Sequence, residues 1–222
     1  MTSIFERAMG ATFADLHPML QRRFGVGLEA GEACIGTGVM DEVRLGPWWT
    51  TPFLQVGRVR NVLIPDRGTD IPFTIENYPY RDPLGRETVT FVREFDVRGR
   101  RHRFDATMVA QDGRVLDYLG THQHLAVDLD LRADDQGGLR LTSGAQRFYE
   151  GPLSFPFPLA LSGRAHLHEW YDDADDVFRI ELEVVNDRFG FLFGYHGSFT
   201  CTWVPALDAP ERLKPVRHES RT

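Results

Sequence analysis

The feature that most limits what this chain can become is a series of short segments in which apolar and charged residues alternate one for one. Leu125, Val127, Leu129 and Leu131 fall on one face of their segment, and His122, His124, Asp128, Asp130 and Arg132 on the other. Phe178, Ile180, Leu182 and Val184 oppose Arg179, Glu181 and Glu183 in the same way. A period of two is the mark of a β-strand with one buried face. The pattern predicts strands at 33–44, 71–80, 87–97, 101–110, 114–119, 122–132, 138–142, 163–171, 177–185 and 195–204. Turn sequences separate them, among them Pro83-Leu84-Gly85, Arg98-Gly99-Arg100, Asp112-Gly113 and Gly137-Gly138. About ten such strands joined by hairpins imply a mainly β (α+β) fold, an antiparallel barrel or strongly curved sheet of lipocalin-like form. Closure would remove exposed strand edges. A sandwich is the alternative.

Ahead of the strands, Ile4, Phe5, Met9, Phe13, Leu16, Leu20 and Phe24 recur at steps of three and four behind Ser3. This predicts an amphipathic helix over 3–24 packed on the sheet, with Pro18 dividing it into two short helices that share a buried face. Residues 51–63 suit a short amphipathic helix or an irregular strand, with the helix favoured. At 222 residues the chain fits one β-rich domain, 1–205, followed by a loose C-terminal tail, 206–222.

Composition removes several functions. A net charge of −7 argues against nucleic acid as partner, since phosphate binding needs clustered positive charge. The single lysine, Lys214, lies in the tail, which leaves Schiff-base chemistry without a pocketed amine. No stretch approaches the ~20 apolar residues of a membrane-spanning helix. Met1–Arg7, with Glu6, lacks a signal-peptide pattern. Cys34 and Cys201 have no CxxC spacing and read as buried thiols. Together these set the expectation of a cytoplasmic protein without membrane insertion. GxGxxG after a strand, GxxxxGK[ST], GxSxG and HExxH are all missing, so no cofactor is expected.

Three groups of residues are candidates for chemistry. His122/His124 and His166/His168 each place two imidazoles on one strand face, where they could share a metal or move a proton; the plain alternative is solvated histidine. Glu169 points to the face opposite His166 and His168. Second, Glu76, Tyr78 and Tyr80 share a face, and Arg93 and Glu94 interrupt an apolar strand. If that face lined a cavity, Glu76 or Glu94 would be a general acid or base; otherwise the residues form a solvated charge ladder. Third, the aromatic, proline-broken stretch 147–161, with Tyr149, Phe155 and Phe157, suits a loop covering a cavity or tucked against the core. The resulting assignment has Glu76, Glu94, His122 and His124 as catalytic candidates. Tyr78, Tyr80, Arg93, Tyr149, Phe155, Phe157 and Trp170 are ligand-binding candidates, and no metal ligand is assigned.

Several longer strings carry a resemblance. Ile4-Phe-Glu-Arg-Ala-Met, Pro72-Phe-Thr-Ile-Glu-Asn-Tyr, Gly85-Arg-Glu-Thr-Val-Thr-Phe, Gly120-Thr-His-Gln-His-Leu and Phe148-Tyr-Glu-Gly-Pro resemble the bacterial family called domain of unknown function 4166, over roughly residues 4–204. The resemblance implies one intact domain, with relatives that stand alone or are joined to membrane or NAD(P)-binding modules. It carries over no activity and no site residues.

The residues lead first to a barrel enclosing an apolar small molecule such as a lipid, polyketide or terpenoid, either as a carrier or as a cofactor-independent cyclase or isomerase. A non-catalytic interaction module for a membrane-associated or enzyme partner, or for a second copy in a homodimer, is the second reading. A His-ligated metal enzyme is the third.

Overall fold

The computed structural model describes residues 2–47 and 66–220; the helix expected over 51–63 lies outside the described residues. Twelve strands are found among them: β1 Glu32–Leu45, β2 Gly68–Asn77, β3 Pro79–Arg81, β4 Glu87–Val97, β5 Arg100–Gln111, β6 Arg114–Leu119, β7 Leu125–Ala133, β8 Leu139–Glu150, β9 Leu153–Pro156, β10 Arg164–Asp172, β11 Val177–Asn186 and β12 Gly190–Pro205. Ten of them form a closed antiparallel barrel in the order β1, β2, β4, β5, β6, β7, β8, β10, β11, β12, with β12 returning to β1. Closure is made where Leu139, Leu141 and Thr142 of β8 meet Glu169, Leu167 and His166 of β10. β3 extends the wall beside β4, and β9 beside β8. The barrel with about ten strands expected from the alternation is thus the architecture found.

Local chemistry explains the hairpins. Val97 pairs with Arg100 and Gln111 with Arg114, so Arg98-Gly99 and Asp112-Gly113 are two-residue loops. Both residues of each loop have positive φ, between 51° and 77°, the conformation whose twist matches that of the flanking strands. Four strands depart from the expected bounds by more than a residue: the 71–80 strand divides at Tyr78 into β2 and β3, β7 begins at Leu125 and leaves His122 and His124 before it, and β8 and β12 are longer than expected. β8 continues past 142 because a bulge falls where Val127 faces Gln146 and Leu129 faces Ser143. The extra residues there break the period of two. Arg147–Glu150 are therefore strand, not the start of a loop. β12 begins at Gly190, within an apolar run too continuous to show alternation.

The apolar faces turn inward: Val127, Leu129, Phe178, Ile180 and Leu182 belong to the main core. Ring pairs fill its middle, Phe73–Phe95 at 5.0 Å, Phe95–Tyr195 at 5.2 Å and Phe178–Phe199 at 5.4 Å between centroids. The N-terminal segment closes one end. It consists of α1 Ile4–Met9, a 3-10 turn Gly10–Asp15 and α2 Pro18–Phe24, the break falling at Pro18. Ser3 Oγ accepts from the Glu6 amide at 3.1 Å, and His17 Nδ1 accepts from that of Met19 at 3.2 Å, which caps both helices. Their apolar residues are buried, and Phe5 packs on Phe24 and Phe91 at 5.0 and 5.7 Å. The segment therefore plugs the barrel end.

Residues 206–220 lie on the outer wall. Arg86 donates to the Glu219 carbonyl at 2.9 Å, the Val216 amide to Thr121 at 2.7 Å, and the Glu219 amide to Gln123 Oε1 at 2.6 Å. A second small apolar cluster, Val109, Tyr118, Ala126 and Tyr149, sits on that wall. Among the described residues no helix is long and apolar enough to cross a membrane.

Gly36 is a mid-strand residue of β1 whose missing side chain leaves room for Phe199. A Cβ there would lie 2.6 Å from Ile75 Cγ2 and 2.8 Å from the Phe199 ring. Gly36→Ala is expected to destabilise the fold by about 1–3 kcal/mol through overpacking, read as a lower urea midpoint. Gly85→Ala, at a turn with φ of 80° and nothing within 4 Å, strains only the backbone and should cost less.

Candidate functional site

Alternation brings inward not only apolar residues but also Arg93, Asp117, Glu169 and Tyr195, each buried. Arg23 joins them from the inner face of α2. It is the most enclosed charge of the set and the best partnered: Nε donates to Glu169 Oε1, and Nη1 donates to Asn77 Oδ1 at 2.8 Å. The thiols of Cys34 and Cys201 lie 3.5 and 3.7 Å from the same Nη1. Burial disfavours the guanidinium charge, but Glu169 and the two sulfurs outweigh it and hold its pKa above the usual arginine value. Cys34 accepts from Cys201, and with Arg23 alongside its pKa falls to about 7; donating that bond pushes Cys201 upward. One face of the plug is thus locked to β1, β2, β10 and β12 through a single side chain.

Deeper in the barrel the polar groups are less well matched. The Arg93 guanidinium packs over Phe104 at 4.8 Å and Phe91 at 5.8 Å, and its Nε has no hydrogen-bond partner. Neither do Asp117 Oδ1, Tyr195 OH or Arg23 Nη2. Asp117 stands opposite Met108 of β5 and Val127 of β7. Burial drives its carboxyl up to about 7, with Arg93 pulling the other way. Burial likewise raises Tyr195, whose surroundings include Arg93, Glu169 and Arg23. Arg93 and Glu169 also border a void of about 10 Å³, whose remaining lining is apolar and includes Phe5, Phe24, Ile75 and Met108. That space accommodates one water molecule.

The candidates read from the sequence are distributed differently. Arg93 is inside. Glu76 faces outward, where Arg212 of the tail grips both its carboxylate oxygens at 2.7 Å, and Glu94 shares that outer face. Tyr78 joins β2 to β3, its amide donating to Thr90 Oγ1 at 2.9 Å. Tyr80 is buried outside the barrel beneath the tail, its hydroxyl 3.3 Å from His218 Nε2. His122 and His124 lie in the turn before β7. His124 Nδ1 is 2.8 Å from Glu150 and 3.1 Å from the Tyr149 carbonyl, and the two rings stack at 5.3 Å. Phe148 continues the stack at 6.2 Å and meets Phe155 and Phe157 at 5.4 and 6.2 Å. The structure therefore gathers His122, His124, Phe155 and Phe157 into one aromatic row. Tyr149 belongs to the outer cluster, and Trp170 stacks on His168 at 4.6 Å on the outer wall. The two histidine pairs do not converge. His168 pairs with Asp134 at 2.8 Å, and the described residues contain no group of three or more His, Cys, Asp or Glu able to hold a metal ion.

Arg23, Asp117 and Tyr195 escaped the sequence reading, and Glu169, placed there on the face opposite His166 and His168, received no role, although three of the four carry a usable signal. Asp117 shares its strand face with Val115, Glu169 with Leu167, and Arg23 the helix face of Leu16 and Leu20. A charge in phase with buried residues marks an interior group.

Residues 16–199 match the family described as Domain of unknown function (DUF4166). The chain belongs to the DUF4166 family. It is also 32% identical over 201 residues to the "Uncharacterized protein YndH" of Bacillus subtilis (strain 168), covering 90% of this chain and 97% of that relative. No solved structure matches. The DUF4166 match spans the barrel from the plug's second helix into β12, so all the interior polar residues fall within it.

Two outcomes follow from this DUF4166 interior. Replacing one partner of the buried pair, Glu169→Gln or Arg23→Met, is expected to cost about 3–5 kcal/mol in chemical denaturation, whereas replacing both with apolar residues recovers most of the loss. Asp117 gives a pH effect. Its folded value of about 7 exceeds the unfolded value of about 3.9, so the folded state keeps a proton that the unfolded chain has released. Stability falls as pH rises across that window and levels above it. Asp117→Asn should lack this fall and gain on the wild type between about pH 4 and pH 7 in paired urea titrations.

Proposed function

We propose that the barrel interior binds a small, largely apolar molecule whose polar end is held by Arg93, Asp117 and Tyr195. The observation that supports this reading is the set of four buried polar atoms without partners, on Arg93, Asp117, Tyr195 and Arg23, facing an otherwise apolar wall. Each such atom costs about 1–3 kcal/mol when left unsatisfied, and a bound molecule that supplies hydrogen bonds removes that cost.

The space between the closed plug and the wall accommodates no more than one water, so a larger molecule takes the place of plug side chains. Phe5 and Phe24, which line the void, are the groups to be displaced. Both sit on helices of six and seven residues, too short to be stable away from the barrel, which makes their displacement inexpensive compared with opening the β-ring. A carboxyl titrating near neutrality in such a pocket also suits proton transfer to the bound molecule, the step a cofactor-independent isomerase or cyclase requires.

Native mass spectrometry of the protein isolated without denaturation is expected to show a stoichiometric adduct that is released on unfolding. Phe24→Ala, which enlarges the interior, is expected to hold at least as much. Unliganded mass alone, together with no thermal shift from saturating octanoate, octanol or octylamine, overturns the reading.

A further inference from the structure

We infer that the interior site takes its ligand as a carboxylate, together with one proton. This rests on the binding reading above and gives it a ligand class. The argument begins with a charge count inside the barrel. Arg23 and Glu169 are in direct contact and cancel. That leaves Arg93 as a cation with an unpartnered Nε and Asp117 as the acid on which it acts. A cationic ligand would meet the uncancelled guanidinium of Arg93 in a medium of low dielectric and is repelled. A neutral hydroxyl has too few lone pairs for the unpartnered donors of Arg93, Arg23 and Tyr195. A carboxylate has two oxygens and about four acceptor sites, and charge-assisted bonds to arginine are the strongest such an apolar interior offers.

Proton uptake follows from the neighbour. With Asp117 ionised, a bound carboxylate would share Arg93 with a second anion, an arrangement in which one of the two takes a proton. With Asp117 protonated, the interior charge sums to zero and the Asp117 O–H becomes a further donor. The elements around Asp117 offer no competing charge: Met108 faces it from β5, Val127 from β7, and α1 presents Ile4, Phe5 and Met9 while its Arg7 is turned to Glu87. The charged group acting on it is Arg93 from β4. Asp117 already titrates near neutrality, and an anion beside it raises that value further.

Isothermal titration of the full chain with octanoate, octanol and octylamine tests this. Octanoate, ionised throughout, is expected to bind most tightly and to weaken by about tenfold per pH unit above the titration of Asp117, with one proton taken up as read from buffers of different ionisation enthalpy. Asp117→Asn is expected to bind octanoate without that pH dependence, and Arg93→Met to lose the preference for octanoate over octanol. Equal affinity for octanol, or octanoate affinity flat with pH in the wild type, overturns the carboxylate inference while leaving interior binding intact. No binding of any of the three overturns both.

Discussion

A short antiparallel contact, Leu139–Thr142 against His166–Glu169, turns this long sheet into a ring, and the remaining architecture answers to it. A closed ring has an inside that every strand addresses with alternate residues, so each inward position must be apolar or find a partner within the barrel. The register of the contact sets Glu169 opposite Leu139, on the inner face and next to the plugged end. A slip of one residue would send His168 inward and Glu169 out to solvent. The register therefore places a carboxylate where only a charge brought from elsewhere can neutralise it, and α2 supplies that charge through Arg23.

The two interior arginines illustrate opposite solutions to one problem. Arg23 is surrounded by a carboxylate, an amide oxygen and two sulfurs, so most of its donors are used and its role is to fix the plug. Arg93 has aromatic faces for neighbours and an acid that burial has driven toward neutrality. Burial and charge compete at Asp117, and burial wins because Arg93 acts on the carboxyl at a distance, with Asp117 Oδ1 and Arg93 Nε each lacking a hydrogen bond. Interiors built purely for stability avoid this arrangement, since hydrophobic residues of similar volume would cost less. Arg93 also borders the small void under the plug.

Much of the fold was legible because the barrel is made of period-two segments bounded by turn residues with positive φ. Strands β4 and β6 run over the residues expected of them, and Pro18 divides the plug as its chemistry requires. Legibility failed where a bulge in β8 reset the period and where β12 opens with a continuous apolar run. The site was harder to read for a different reason. Sequence ranks residues by chemical type, so histidine pairs and the Glu76 strand drew attention, yet strand parity turns Glu76 outward to Arg212. Arg93 was recognised because it interrupts apolar neighbours. Asp117 in β6 and Glu169 in β10 obey the same rule, each in phase with an apolar neighbour two residues away, Val115 and Leu167.

The pairing of β1 with β12 has a consequence for how the chain is made. These strands come from opposite ends of the sequence, and theirs is among the most extensive contacts in the barrel. During synthesis β1 emerges early and waits, one edge unpaired, until almost the whole domain has left the ribosome. Contacts of such long range are slow to form, and a waiting edge is open to pairing with another chain. Arg23 emerges earlier still and has no carboxylate to meet until β10 appears. The buried face of the plug, with Ile4, Phe5, Leu20 and Phe24, therefore carries an unpaired charge until β10 has been made.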